Sequence, residues 1–245
     1  MKSFIFCTSY FKKNLLQNNE KRYQRWLDFY VSNLSKIGCE NLFLIDDGSP
    51  IISFSNEIAV LDPMNLPNKI VNQQNIIRFQ DHLGRPSQKD YRGWWRSFTF
   101  SIILAEKYNF EKIVHIESDF FVVSDRMLEY INSISTGWIS FYSPFFDFPE
   151  SAIQVVTKDA FKLFKQVYLT LLQNQFSINI SAERYLPFTE VEKSFNGDRF
   201  GEIDVLNEYL VTMKNCETID WIGQVLPNFE VNDFDQFFKI ENIWL

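Results

Sequence analysis

Short apolar runs that stop at acidic residues, separated by stripes of helical spacing, constrain this chain most. The run SFIFCTSY near the start is rich in β-formers and reads as a buried strand. Over 19–37, Tyr23, Trp26, Leu27, Tyr30, Leu34 and Ile37 recur at spacings of three and four. That is the stripe of an amphipathic helix, and Gly38 supplies its stop. A second strand follows over 42–45, ending in two acids and a Gly-Ser-Pro turn, and EIAVLD gives a shorter third. The polar stretch 63–89 reads as loops. Trp95, Phe98, Ile102 and Ala105 predict a helix over 94–108, and KIVHIES a strand after it. Helices over 125–134, 159–172 and 203–213 and strands at WISFYS and AIQVVT complete the pattern. Strand, helix, strand, repeated, predicts an α/β fold with a mostly parallel sheet flanked by helices.

The chain has 245 residues, 46% of them hydrophobic, which suits a sizeable core and one domain. Eight Gly and eight Pro are too few for a linker-rich protein. The formal charge of −7 supplies no broad positive field, so nucleic acid is not expected as a partner. Cys7, Cys39 and Cys216 are an odd number without CxxC spacing. They read as buried or free thiols in a reducing compartment. No apolar window reaches the length of a membrane span. The expected location is the cytoplasm, with peripheral contact at the inner face of a membrane left open.

In sheets of this kind ligands bind beyond the carboxyl ends of the strands, and two acid clusters sit there. The run from Ile113 to Ile116 stops at Glu117 and Asp119, one residue apart, then resumes with Phe120, Phe121 and Val122. Two carboxylates converging in a partly desolvated cleft repel each other unless a cation neutralises them. Hard divalent ions take one or two such carboxylates together with diphosphate oxygens. The plainer reading makes both solvated loop residues, or Asp119 a turn cap. Asp46 and Asp47 read either as acceptors for a ribose or base edge or as part of a turn. Strand alternation puts His115 on the face of Glu117, as a core histidine.

The order of an early apolar strand, LIDDGSP, an Arg-bearing helix and VHIESDFF resembles nucleotide-sugar glycosyltransferases of the GT-A fold. The resemblance covers roughly the first half of the chain, with ESD in place of the family's Asp-x-Asp, so Glu117 replaces its first Asp. It implies a GT-A-like, Rossmann-like single domain, with a donor half over about 1–125 and an acceptor half over about 126–245. It implies that Glu117 and Asp119 hold Mn²⁺ or Mg²⁺ and that Asp46 and Asp47 lie near the nucleoside. Thr8 and Ser118 fall on the donor side. In KDYRGWWRSFTF, Arg92 and Arg96 serve the phosphates, with the helix N-terminus adding its pull on anions. The same two arginines also read as a solvated pair four apart, and Trp94 and Trp95 as core.

The resemblance places a general base in the second half. FNGDRFGEIDVLNEYL offers Asp198, Glu202 and Asp204, of which Glu202 and Asp204 match the family's helix-start acids with Ile203 inserted. Helix capping accounts for that pair equally well. NGDRFG reads as a mobile loop at the site mouth. SPFFDFPES suggests a wall for an acceptor, with Phe146 and Asp147 as its candidates. The implied activity moves a sugar, UDP-linked by first choice, to a glycan or lipid-linked acceptor in surface polysaccharide or lipopolysaccharide assembly. One rival is a nucleotidyltransferase that makes nucleotide sugars, but CTSYFKKN lacks the early glycine-rich loop such enzymes carry. The other is a non-catalytic carbohydrate-binding protein with a decayed site, which Glu117 in the first motif position favours.

Overall fold

The computed structural model describes residues 1–11, 16–50, 58–87, 89–199 and 219–225, and leaves the side chains of 16–21 aside. In chain order it contains β1 (Ser3–Ser9), α1 (Leu16–Ile37), β2 (Asn41–Asp46), β3 (Ala59–Leu61), β4 (Gln74–Arg78) and α2 (Arg92–Tyr108). Next come β5 (Lys112–Ile116), β6 (Phe121–Val122), α3 (Asp125–Ser133), β7 (Trp138–Ser143), β8 (Phe148–Thr157) and α4 (Phe161–Gln173). The short elements α5 (Ala182–Tyr185), β9 (Glu190–Glu192), β10 (Gly197–Asp198) and β11 (Trp221–Ile222) complete the order. Eight strands form one sheet in the order β3-β4-β2-β1-β5-β8-β7-β9, and β10-β11-β6 form a second. From β3 to β5 every pairing is parallel, whereas β8 runs antiparallel to both β5 and β7. The expected α/β architecture with a mostly parallel sheet is therefore what the chain adopts. The expected helix over 203–213 lies outside the described residues.

Alternation along the central strands divides the core into two layers. Phe4, Phe6, Phe43, Ile45 and Ile113 pack with Trp95, Phe98 and Ile102 of α2 and Phe164 of α4. Ile5, Cys7, Leu44, Val114 and Ile116 face the opposite way, onto Trp26, Tyr30 and Leu34 of α1. Cys7 and Cys39 are both buried. Gly38 ends α1 with φ +73, a left-handed conformation that suits glycine. The stretch 63–89 is not all loop, because β4 lies within it, paired to β2 and β3. Only Ile76 and Ile77 mark that strand as apolar. Its polar member Asn75 is buried with its amide bonded to the Asn72 carbonyl.

The parallel register aligns Ser9 with Asp46 and Asp46 with Arg78. The carboxyl ends of β1, β2, β4 and β5 therefore share one edge. At the other end of β5, Lys112 is 1% exposed and closes the C-terminus of α3. Its Nζ donates to the carbonyls of Ile131 at 3.1 Å, Asn132 at 2.7 Å and Ile134 at 3.3 Å. A cation there answers both the unpaired carbonyls and the negative end of the helix. Lys112→Met keeps the aliphatic stem and removes the donor. It should cost roughly 2–3 kcal/mol of unfolding free energy in urea titration. A loss below about 0.5 kcal/mol, the scale of an ordinary surface change, would contradict this assignment.

Candidate functional site

The acids after β5 leave the sheet through a turn anchored on both sides. Glu117 N–H donates to Ala152 O at 2.9 Å, extending the ladder to β8 by one bond, and Phe120 N–H donates back to Glu117 O at 2.9 Å. Phe120 and Phe121 then return to the core, which accounts for the apolar run on both sides of the acids. Glu117 is clamped by three neighbours. Thr8 Oγ1 reaches its Oε1 at 2.8 Å and Oε2 at 3.0 Å, Trp94 Nε1 donates to Oε1 at 2.6 Å, and His115 Nε2 lies 3.0 Å from Oε1. His115 is itself buried, against the rings of Phe6 and Phe98. Burial pushes the Glu117 carboxyl upward. The neighbouring His115 and the bonds from His115, Thr8 and Trp94 outweigh that and hold it below its ordinary value. Ser118 is buried, and its hydroxyl has no partner among the described residues.

Asp119 points the other way, toward α1, where Arg22 Nη2 lies 3.0 Å from its Oδ2. Burial raises the Asp119 carboxyl, Arg22 pulls it down, and the charge of Glu117 raises it further; the balance lies above the ordinary value. Its backbone is held from the second sheet, since Val225 N–H donates to Asp119 O at 2.9 Å. Trp221 of β11 stacks on Phe120, and β11 pairs antiparallel to β6. Asp220 fixes that strand by accepting from Ser124 Oγ, Arg126 and Asn196 N–H.

The second acid cluster splits. Asp46 is fully buried, with Ser49 N–H donating at 2.7 Å and Ser9 Oγ at 3.2 Å. Its burial raises the carboxyl even against those bonds. Asp47 faces the α2 N-terminus, accepting from Gly84 N–H at 2.8 Å and from the Arg96 guanidinium, with His82 Nδ1 2.9 Å away. A Cβ on Gly93 would stand 2.0 Å from Asp47 Oδ2, so only glycine admits this approach. Arg96 also holds Asp81 at 2.8 Å and lies over the Phe79 ring. Arg92 bonds Asp90 at 2.8 Å and Ser177 at 3.2 Å. Both arginines thus serve protein partners, and the anion at the helix N-terminus is Asp47 itself. Trp95 is core, but Trp94 stacks on Phe98 beside Glu117, and Tyr10 stacks on His82 with ring centroids 3.7 Å apart.

Across from these acids stands a charged group that sequence reasoning did not single out. Arg199 bonds Glu150 at 2.6 and 2.9 Å and Glu183 at 2.8 Å, and Ser151 Oγ donates to Glu183 at 2.8 Å. Burial raises the Glu150 carboxyl, partly offset by Arg199. Asp198 ties the β7–β8 turn down by accepting from Ser143 Oγ at 2.6 Å and Phe145 N–H at 2.7 Å. In that turn Asp147 is exposed, has φ +54 and accepts from Tyr142, while Phe146 lies 5.8 Å from the Arg199 guanidinium. Glu202 and Asp204 lie outside the described residues.

One cleft of about 940 Å³ collects most of these groups, among them Thr8, Tyr10, Arg22, Asp47, His82, Trp94, Glu117, Asp119, Glu183 and Arg199. Thr8, Asp47, Glu117 and Asp119 are thereby brought together. Asp46, Arg92, Arg96, Ser118, Phe146 and Asp147 are not among its lining. Arg22 was hidden in a helical stripe and Glu183 in an unassigned stretch. Glu150 carries the same signal as Glu117, a carboxylate abutting an apolar run. Glu117 and Asp119 are 12% and 13% exposed. Among the described residues no group of three or more His, Cys, Asp or Glu side chains is placed to hold a metal ion, so a divalent cation at Asp119 would need further oxygen ligands from outside the protein.

No protein-family model matches the chain, and no curated protein matches it. Among solved structures it is similar to the crystal structure of a glycosyltransferase involved in the glycosylation of the major capsid of PBCV-1. The identity is 11% and the TM-score 0.45, over 97% of this chain and 100% of that one. A likeness this distant assigns neither a family nor an activity.

Glu183 gives the cleft a pH signature. Burial pushes its carboxyl up, but its own backbone N–H, Ser151 and Arg199 outweigh that and hold it below the ordinary value. A depressed folded value stabilises the protein above the unfolded value, about 4.3, and that contribution fades as pH falls through the folded one. Glu183→Gln should therefore lose roughly 1–3 kcal/mol near neutral pH. The gap from wild type should narrow below about pH 4. Urea melts across pH check this, and a constant gap would refute the sign.

Proposed function

We propose that the chain is a metal-assisted glycosyltransferase that moves a sugar from a nucleotide diphosphate to a glycan or lipid-linked acceptor. The observation that carries this reading is the convergence of Asp47, Thr8, Glu117 and Asp119, from the ends of three neighbouring strands, on one cleft. Asp119, with Glu117 behind it, would hold Mn²⁺ or Mg²⁺. The ion would offset the charge that grows on the departing diphosphate. Tyr10, backed by His82, offers an aromatic wall to a planar base, and Asp47 closes that end. The acceptor oxygen forms a bond to the anomeric carbon as the bond to the phosphate oxygen breaks. The acceptor proton passes to a carboxylate, for which Glu202 and Asp204 stand on the sequence reading alone. The donor half over about 1–125 and the acceptor half over about 126–245 belong to the same reading. So do a UDP-linked donor and a place in surface polysaccharide or lipopolysaccharide assembly at the cytoplasmic side of a membrane. No described helix is long and apolar enough to cross one.

Calorimetric titration of UDP with and without Mn²⁺ tests the proposal. Wild type should bind UDP about tenfold or more tightly with Mn²⁺. Asp119→Ala should lose that enhancement while keeping a native circular dichroism spectrum. No binding of UDP, GDP, CMP or dTDP in either condition would sink the glycosyltransferase reading.

A further inference from the structure

Arg22 is paired differently from the other arginines in and around the cleft. Arg96 lies between Asp47 and Asp81, and Arg199 between Glu150 and Glu183, each with two carboxylate partners. Arg22 meets one carboxylate, Asp119, and its Nε, like that of Arg96, is buried with no hydrogen-bond partner among the described residues, but Arg22 lines the cleft and Arg96 does not. An unanswered buried donor carries a free-energy cost that an added acceptor oxygen would remove. The guanidinium fork matches two phosphate oxygens, and charge-assisted bonds of that kind are among the stronger ones. Asp119 is also the carboxylate through which a divalent cation would enter, and a cation and a guanidinium on one carboxylate repel each other. Each therefore weakens the hold of the other on Asp119.

We propose that Arg22 exchanges partners: it neutralises Asp119 in the ligand-free cleft and passes to the phosphate oxygens of the nucleotide when a divalent cation takes Asp119. This rests on the nucleotide-diphosphate reading above and adds a coupling to it. The helix that carries Arg22 is anchored by Tyr23, Trp26, Leu27 and Tyr30 in the core, so the exchange is a side-chain rotation rather than a backbone movement. The cation frees the arginine, and the nucleotide frees the carboxylate. Each therefore favours the other by the same factor.

The test measures Mn²⁺ alone by electron paramagnetic resonance of the free ion, and UDP by calorimetry in EDTA and in saturating Mn²⁺. Wild type, Arg22→Gln, Arg22→Lys and Asp119→Asn are compared. With Mn²⁺, Arg22→Gln should bind UDP about tenfold or more weakly than wild type, and Arg22→Lys should fall between them. Mn²⁺ alone should bind Arg22→Gln more tightly than wild type, because a competing cation is gone. In EDTA, Asp119→Asn should bind UDP several-fold more tightly than wild type, because its arginine is already released. That arm, with Arg22→Lys, decides the matter if Arg22→Gln fails to fold. Wild type that binds no nucleotide in either condition overturns the underlying reading and this inference with it. Wild type that binds, with Arg22→Gln within twofold of it or Asp119→Asn no tighter in EDTA, overturns the exchange alone.

Discussion

The clamp on Glu117 is the interaction on which the cleft depends. Thr8 comes from β1, Trp94 from α2 and His115 from β5, and all three meet one carboxylate. A strand, the helix crossing over it and the neighbouring strand are thus tied together at the edge where ligands reach such a sheet. In a setting of low local polarity these bonds are strong when complete, and removing a partner leaves the carboxylate exposed to its full desolvation cost. The clamp also steers the next two residues of the chain. With Glu117 bonded to β8 through its N–H and to Phe120 through its carbonyl, Asp119 is directed into the cleft.

The first turn of α2 is the clearest case in which local chemistry and use diverge. A helix N-terminus flanked by arginines suits a phosphate, yet this one already holds an anion. Asp47 accepts from Gly84 N–H and Arg96 there, against a glycine that leaves no room for anything larger. The expected phosphate cations are thereby wall-building groups. The arginines on the cleft surface come from elements outside the central strands: Arg22 on α1, Arg85 in the segment between β4 and α2, and Arg199 just after β10.

Much of the sheet was legible because burial on two faces leaves short, nearly uniform apolar runs, and β1, β2, β5 and β7 all read that way. β4 did not, since its two isoleucines are bracketed by Gln74, Asn75 and Arg78, and its burial comes from neighbours distant in sequence. The same limit governed the site. Glu117 and Asp119 could be read because an acid against an apolar run is locally anomalous. Arg22, Glu183 and Arg199 are ordinary in their own segments. Their significance comes from meeting Asp119 and Glu150 across separations that no local pattern encodes. Asp46 and Asp47 show the converse, because adjacency in sequence placed one under the turn and the other in the cleft.

The net charge of −7 and the proposed phosphorylated ligand are compatible once the pairing is traced group by group. Exposed charges farther apart than about 8–10 Å are largely screened, so recognition in a cleft is decided by the contacts within it. There Asp47, Asp119 and Glu183 each meet an arginine, and Glu117 meets neutral donors with His115. An anion entering the site gains most where it brings a cation or takes one from a carboxylate. The pairs differ in how readily they yield. Glu150 is wholly buried under Arg199, and the Arg96–Asp47 pair is 8% and 5% exposed. Arg22 and Asp119, at 28% and 13%, are the most open of the three, so water can cover either partner as it leaves. Opening either of the other pairs would strand a buried charge, so the exchange of partners falls to Asp119.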